Sequence, residues 1–218
     1  QADLGVTLVR AASDLVQALQ VERGVSAGFI GSEGDGSFAQ RLTAARSETD
    51  ALARSFEARA AESRAAEAAE NVAGAATQAS AQLETLDATR GAVDALSLPL
   101  PQMAAWYSGA IRELIEVGSA LRGAVDFPRS ERLMGVYAAL IEAKERAGLE
   151  RAMGANGFGA GRFEPAVYDR FHDLAIRQDV YLDSAEATAG EAVREAVAAF
   201  RASPESAEVA RMRAVAAD

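Results

Sequence analysis

The chain has 218 residues, half of them apolar and a quarter charged, which is enough for one large domain or two small ones around a hydrophobic core. Its formal net charge of -10 speaks against a phosphate-binding surface, which needs clustered Lys and Arg, so nucleic acid is not an expected partner. The absence of cysteine removes disulfides, thiol catalysis and cysteine-based metal sites.

No apolar run approaches the roughly 18 residues that a membrane-spanning helix requires, and no signal peptide is expected within the sequence. The sequence opens on Gln1 rather than Met, which reads as excision from a longer protein. On that reading a membrane anchor lies outside the sequence. An extracytoplasmic, periplasmic placement is then expected, with a cytoplasmic one as the alternative.

Ala, Leu, Glu and Arg recur at helical spacing, and aromatic residues make up only 6%, so the whole chain reads as helical. A first helix covers 3–30, with Leu4, Leu8, Ala11, Leu15, Leu19, Ser26 and Ile30 on one side. It ends in the glycine-rich loop Gly31-Ser32-Glu33-Gly34-Asp35-Gly36. Ser37 is the expected N-cap of a second helix. After Phe56 that helix carries little aliphatic content, and its polar, Ala-rich flank suits a partner surface, so a homodimer is expected. A break near Asn71 to Gly74 precedes a third helix over 76–96, which Pro99 and Pro101 stop. A fourth helix runs to Ala124, where Asp126-Phe127-Pro128 breaks the chain. The fifth, over 130–156, ends in a second glycine-rich loop containing Gly154, Gly157, Gly159 and Gly161. The sixth follows Pro165 and reaches Phe200, with a weakness at Gly190. Ser203-Pro204 opens a short last helix with Ser203 as its N-cap.

This pattern predicts an all-α fold, an antiparallel helical bundle of six to eight helices. Two four-helix bundles sharing long helices with pseudo-two-fold symmetry satisfy the same pattern, within one domain covering 1–218. The symmetry has a sequence echo. Glu22-Arg23-Gly24 and Glu150-Arg151-Ala152 each sit late in a long helix, before a glycine-rich loop and another long helix. The following helices carry Arg46 and Asp50 in one case, Arg177 and Asp179 in the other.

At about 100° per residue, taking Leu15 as zero, Glu22 falls near -20°, Ser26 near 20° and Arg23 near 80°. Glu22 is therefore inside the apolar stripe and Arg23 at its flank. Taking Leu140 as zero on the fifth helix, Arg151 falls near 20° and Lys144 near 40°, which places both cations on the inward face. A buried charge costs several kcal/mol unless paired and hydrogen-bonded, so these residues need partners. One solution is internal pairing, Arg23 with Glu150 and Arg151 with Glu22. The other is a pair of guanidiniums aimed at a small planar anion, whose geometry their donor fork matches. Gly24 and Ala152 leave room for either.

Other motifs carry less. His172 is the single histidine and reads as an exposed or half-buried polar residue. With Glu142 and Glu145 it does not make the Glu-x-x-His pattern of di-iron bundles, so no metal and no catalytic residue is expected. Asp169-Arg170 and Arg177-Asp179 read as surface ion pairs worth little. Trp106-Tyr107 reads as a core anchor or bundle end. Gly157 to Gly161 follows no strand and precedes no Gly-Lys-Ser/Thr, so it is not a phosphate loop.

Taken together, "LQVERGVSAGFIG" and "FAQRLTAARSETDAL", then "LIEAKERAGLERAMGANGFGAGRF" and "YDRFHDLAIRQDVYL", resemble the nitrate- and nitrite-sensing (NIT) domain. The resemblance covers most of the chain, from Leu8 to Phe200. The family is an all-helical sensor module of antiterminators, histidine kinases, chemoreceptors and cyclic-dinucleotide enzymes. The resemblance implies recognition of nitrate or nitrite by one arginine from each motif, Arg23 and Arg151. Glu22, Gly24, Ser26, Arg46, Lys144 and Glu150 are secondary candidates. It further implies a sensor that passes a conformational change to an output module, with no cofactor and no enzymatic activity of its own. The alternatives are a chemoreceptor-type helical domain for another small anion or organic acid, and a purely structural or partner-binding bundle.

Overall fold

The computed structural model describes residues 2–65, 70–123 and 131–217, and every regular element among them is a helix. In chain order these are α1 (Ala2–Gly31), α2 (Gly36–Ala65), α3 (Glu70–Leu83), α4 (Leu86–Asp94), α5 (Leu100–Gly123), α6 (Glu131–Gly159), α7 (Pro165–Thr188), α8 (Glu191–Arg201) and α9 (Pro204–Ala217). The chain divides into two compact units, Gln1–Asp126 and Phe127–Asp218, holding α1–α5 and α6–α9. The all-α architecture is the expected one. Among the described residues no helix is long and apolar enough to cross a membrane.

Two helices of the sequence reading divide. The third is interrupted at Glu84-Thr85, a site without Gly or Pro. The Thr85 hydroxyl donates to the Gln82 carbonyl (3.0 Å) and accepts from the Trp106 indole (2.9 Å), so side-chain bonds hold the turn. The sixth divides at the expected place, Ala189-Gly190, both extended. The break expected at Asn71 to Gly74 is instead helical, within α3. The stop at Asp126-Phe127-Pro128 lies outside the described residues.

Helix ends follow local chemistry. Asp35, not Ser37, caps α2: its carboxylate accepts the Ser37 backbone N–H (2.9 Å), and the Ser37 hydroxyl bond, followed by this backbone bond, holds the Asp35 carboxyl below its usual range. Ser203 caps α9 as expected, accepting the Ser206 N–H at 3.1 Å. The α1, α4 and α6 ends share one motif. Gly34, Ser97 and Arg162 each donate to a carbonyl five residues back, after a residue in the left-handed region, Glu33, Leu96 or Gly161. This is the Schellman geometry, usually built on glycine.

In the first unit α1 packs against α2 and α5, and α3 against α5. The core is built from Leu8, Leu15 and Leu19 of α1, Phe56 of α2, Val72 of α3, Val93 of α4, and Met103, Ile111 and Leu114 of α5. The aliphatic-poor α2 still packs, through a narrow seam of Leu42, Thr49, Phe56 and Ser63 spaced at sevens, the period of a coiled-coil contact. In the second unit α6 packs on α7 through small residues. Val136 and Ala139 meet Ala185 and Ala189, and Ala143 meets Leu182 and Val197.

Both long hairpins turn under a phenylalanine. A Cβ built on Gly28 would lie 2.1 Å from the Phe38 ring, and one on Gly157 2.4 Å from the Phe163 ring. Gly28→Ala is therefore expected to cost about 1–3 kcal/mol by overpacking, read from urea unfolding. In a Phe38→Ala background the same substitution should cost much less.

Candidate functional site

Glu22 has no exposed surface, and its carboxylate is saturated. Arg90 of α4 donates Nε to Oε1 (2.8 Å) and NH2 to Oε2 (2.9 Å), while the Tyr107 hydroxyl of α5 donates to Oε1 (2.7 Å). Arg90 also donates to Asp50 of α2 (2.6 Å). Burial alone would lower the Arg90 pKa, but the bonds and charges of Glu22 and Asp50 outweigh it and hold the pKa above its ordinary value. Burial, then the Glu22 charge, pushes the Tyr107 pKa up. Arg46 lies 3.9 Å from Glu22 and donates to Asp94 (2.9 Å) and to the Arg90 carbonyl (3.3 Å).

Arg23, also fully buried, directs NH1 to the Ser108 hydroxyl of α5 at 2.9 Å. Gly24 is buried beside it. Ser26, one turn on, is buried next to the Tyr107 hydroxyl. The first unit thus brings Glu22, Arg23, Ser26 and Arg46 together with Arg90, Tyr107 and Ser108.

The second motif differs from expectation. Arg151 and Lys144 are exposed, whereas Glu150 is buried. The inward face of α6 follows Val136, Ala139, Ala143, Glu150 and Gly157, about 80° round from Leu140. Close packing on α7 uses alanine and glycine there, so the true stripe is less hydrophobic than the leucine that marked its edge. Glu150 accepts from Arg213 of α9, Nε to Oε1 at 2.6 Å and NH2 to Oε2 at 2.7 Å, and Arg213 also reaches Gln178 (2.8 Å). The Glu150 bond holds the Arg213 pKa above its ordinary value against burial. Each glutamate takes an arginine from outside both motifs.

Arg90 left a trace in the sequence. Leu86, Thr89, Arg90 and Val93 are the buried positions of α4, so Arg90 interrupts an apolar stripe as Glu22 does. Arg213 left none, because α9 has no buried residues. Arg170 and Arg177 both meet Asp173 (3.2 and 2.8 Å), not Asp169 and Asp179. His172 is exposed, stacked on Tyr168. Tyr107 is core, and Trp106 meets it edge-on at 5.0 Å.

Arg90→Ala leaves the Glu22 carboxylate buried without its cation and is expected to cost about 3–5 kcal/mol in urea unfolding. The Tyr107 proton is held more tightly in the folded chain than in the unfolded one. Its contribution is fully present below its ordinary pKa of 10 and is lost as pH rises above that value. The stability gap between the protein and Tyr107→Phe should therefore be constant from pH 8 to about 10 and narrow towards pH 11, measured by thermal unfolding.

A family model described as nitrate and nitrite sensing matches residues 14–218. The nitrate regulatory protein of Klebsiella oxytoca is 29% identical over 184 residues, which cover 84% of this chain and 46% of that protein. The solved structure of the NasR transcription antiterminator aligns with a TM-score of 0.79 at 29% identity, covering 99% of this chain and 58% of the other. The chain thus spans about half the length of these relatives. With a family match running through both Glu-Arg motifs, and an all-helical fold shared with a solved relative, the chain belongs to the nitrate- and nitrite-sensing (NIT) family.

Proposed function

We propose that this chain is a sensing unit for nitrate or nitrite, with Arg23 and Arg151 as the residues that recognise the anion. The observation that carries the reading is the family match through both motifs. Each motif glutamate is engaged within its own unit, Glu22 by Arg90 and Glu150 by Arg213. Nitrate is planar, with one charge shared over three oxygens, and a guanidinium offers donors in a matching plane. The Ser108 hydroxyl fixes one corner of the Arg23 plane. Lys144, exposed on α6, adds a mobile positive charge rather than an oriented fork. The role is regulatory rather than enzymatic. The two relatives, named as a nitrate regulatory protein and a transcription antiterminator, extend well beyond the matched part, which supports an output segment acting with the sensing unit.

Thermal unfolding with nitrate, nitrite, chloride, acetate and amino acids tests the reading. A hundredfold excess over Kd is expected to raise Tm by about 5–10 °C for nitrate or nitrite alone. Arg23→Ala and Arg151→Ala should each abolish that shift. A response to acetate or an amino acid instead would favour an organic-acid sensor. A shift that survives both substitutions would remove these arginines from the site.

A further inference from the structure

The two motif glutamates are held in the same way by residues that neither motif contains. Arg90 approaches Glu22 side-on through Nε and NH2, and Arg213 approaches Glu150 through the same two nitrogens. The arginine lies 68 residues beyond the glutamate in one case and 63 in the other. Each is carried on a late, short helix, α4 or α9, and each glutamate is almost wholly buried.

The chemistry of anion recognition gives this arrangement a use. Neighbouring residues on a helix point in different directions, so Glu150 cannot neutralise Arg151 by direct pairing. Its negative charge nevertheless sits on the residue next to Arg151, at a range comparable to the screening length of physiological salt, about 8 Å. In a partly buried setting a bare carboxylate at that range opposes an anion by a factor of about ten or more. A fork-on-carboxylate bond from Arg213 cancels the charge and uses both oxygens.

We infer that Arg213, and by the same geometry Arg90, are positioning residues for anion sensing: each cancels the charge of the glutamate beside a sensing arginine, so that the anion meets a net positive motif. This inference rests on the function proposed above. Arg213 is the better place to test it. Its helix has no buried residues, whereas Arg90 ties α1, α2 and α4 together.

Nitrate binding to the full chain is measured by calorimetry at fixed ionic strength, with circular dichroism as the check on folding. Arg213→Gln is expected to weaken binding about tenfold, Glu150→Gln to bind at least as tightly as the unmodified protein, and Glu150→Gln/Arg213→Gln to return to within about twofold of it. If the bridge is only a strut, all three variants bind more weakly, and the inference is overturned. Equal binding by Arg213→Gln and the unmodified protein overturns it as well, while leaving the proposed function intact. No nitrate binding by the unmodified protein overturns both. Should Arg213→Gln fail to fold, Glu150→Gln alone still decides, because the charge argument and the strut argument predict opposite signs for it.

Discussion

A carboxylate with no exposed surface is the constraint around which the first unit is organised. Glu22 faces a desolvation penalty of several kcal/mol unless it is paired and fully hydrogen-bonded. Arg90 and Tyr107 meet that demand from two other helices. Arg90 can do so only because the chain turns at Glu84-Thr85 and restarts as α4, and Trp106 holds that turn from α5. Asp50 on α2 then closes the remaining side of the guanidinium. Four helices are in this way indexed to one side chain.

Much of this was legible in the sequence, for identifiable reasons. Helix existence, the glycine-rich hairpin loops, the Ser203 cap and the weakness at Gly190 are all local, and local propensity and capping decide them. Glu22 was recognisable as a buried charge because α1 has a leucine stripe strong enough to define an inward face. The same reasoning failed on α6, where small residues with Val136 line the contact and Leu140, taken as its centre, stands at its edge. The break at Glu84-Thr85 was invisible because no Gly or Pro marks it. A hydrogen bond from a residue 21 positions away does the work instead. The partners of the two glutamates were out of reach for a related reason. They lie 63 to 68 residues downstream; Arg90 interrupts the apolar stripe of α4, but nothing local marks Arg213 or says which of the 22 Lys and Arg meets which glutamate.

The echo between the two halves is stronger in three dimensions than in sequence. Each half has a long helix with Glu-Arg near its end, a Schellman turn that passes through the left-handed region, and a phenylalanine ring laid over a helix glycine. An arginine from a later helix then returns to the motif glutamate. The halves differ in how that arginine is supported. α4 buries Leu86 and Val93 beside Arg90, whereas α9 buries nothing and Arg213 is its polar tie to Glu150 and Gln178.

That difference bears on how each half can move. A buried ion pair seldom adds more stability than apolar packing would, but breaking one costs about 3–5 kcal/mol. Ligand-driven coupling between sites is usually worth only about 1–3 kcal/mol. Coupling of that size therefore lacks the free energy to pull α1 away from α4. A slip of one helical turn, about 5.4 Å, would separate both fork bonds at once. α1 and α4 consequently move together, with α5 held to them through Tyr107 and Ser108. In the second half Arg213 is itself 29% exposed, so water can replace part of what Glu150 supplies and the separation costs less. The freer joint of the two is the one between α6 and α9.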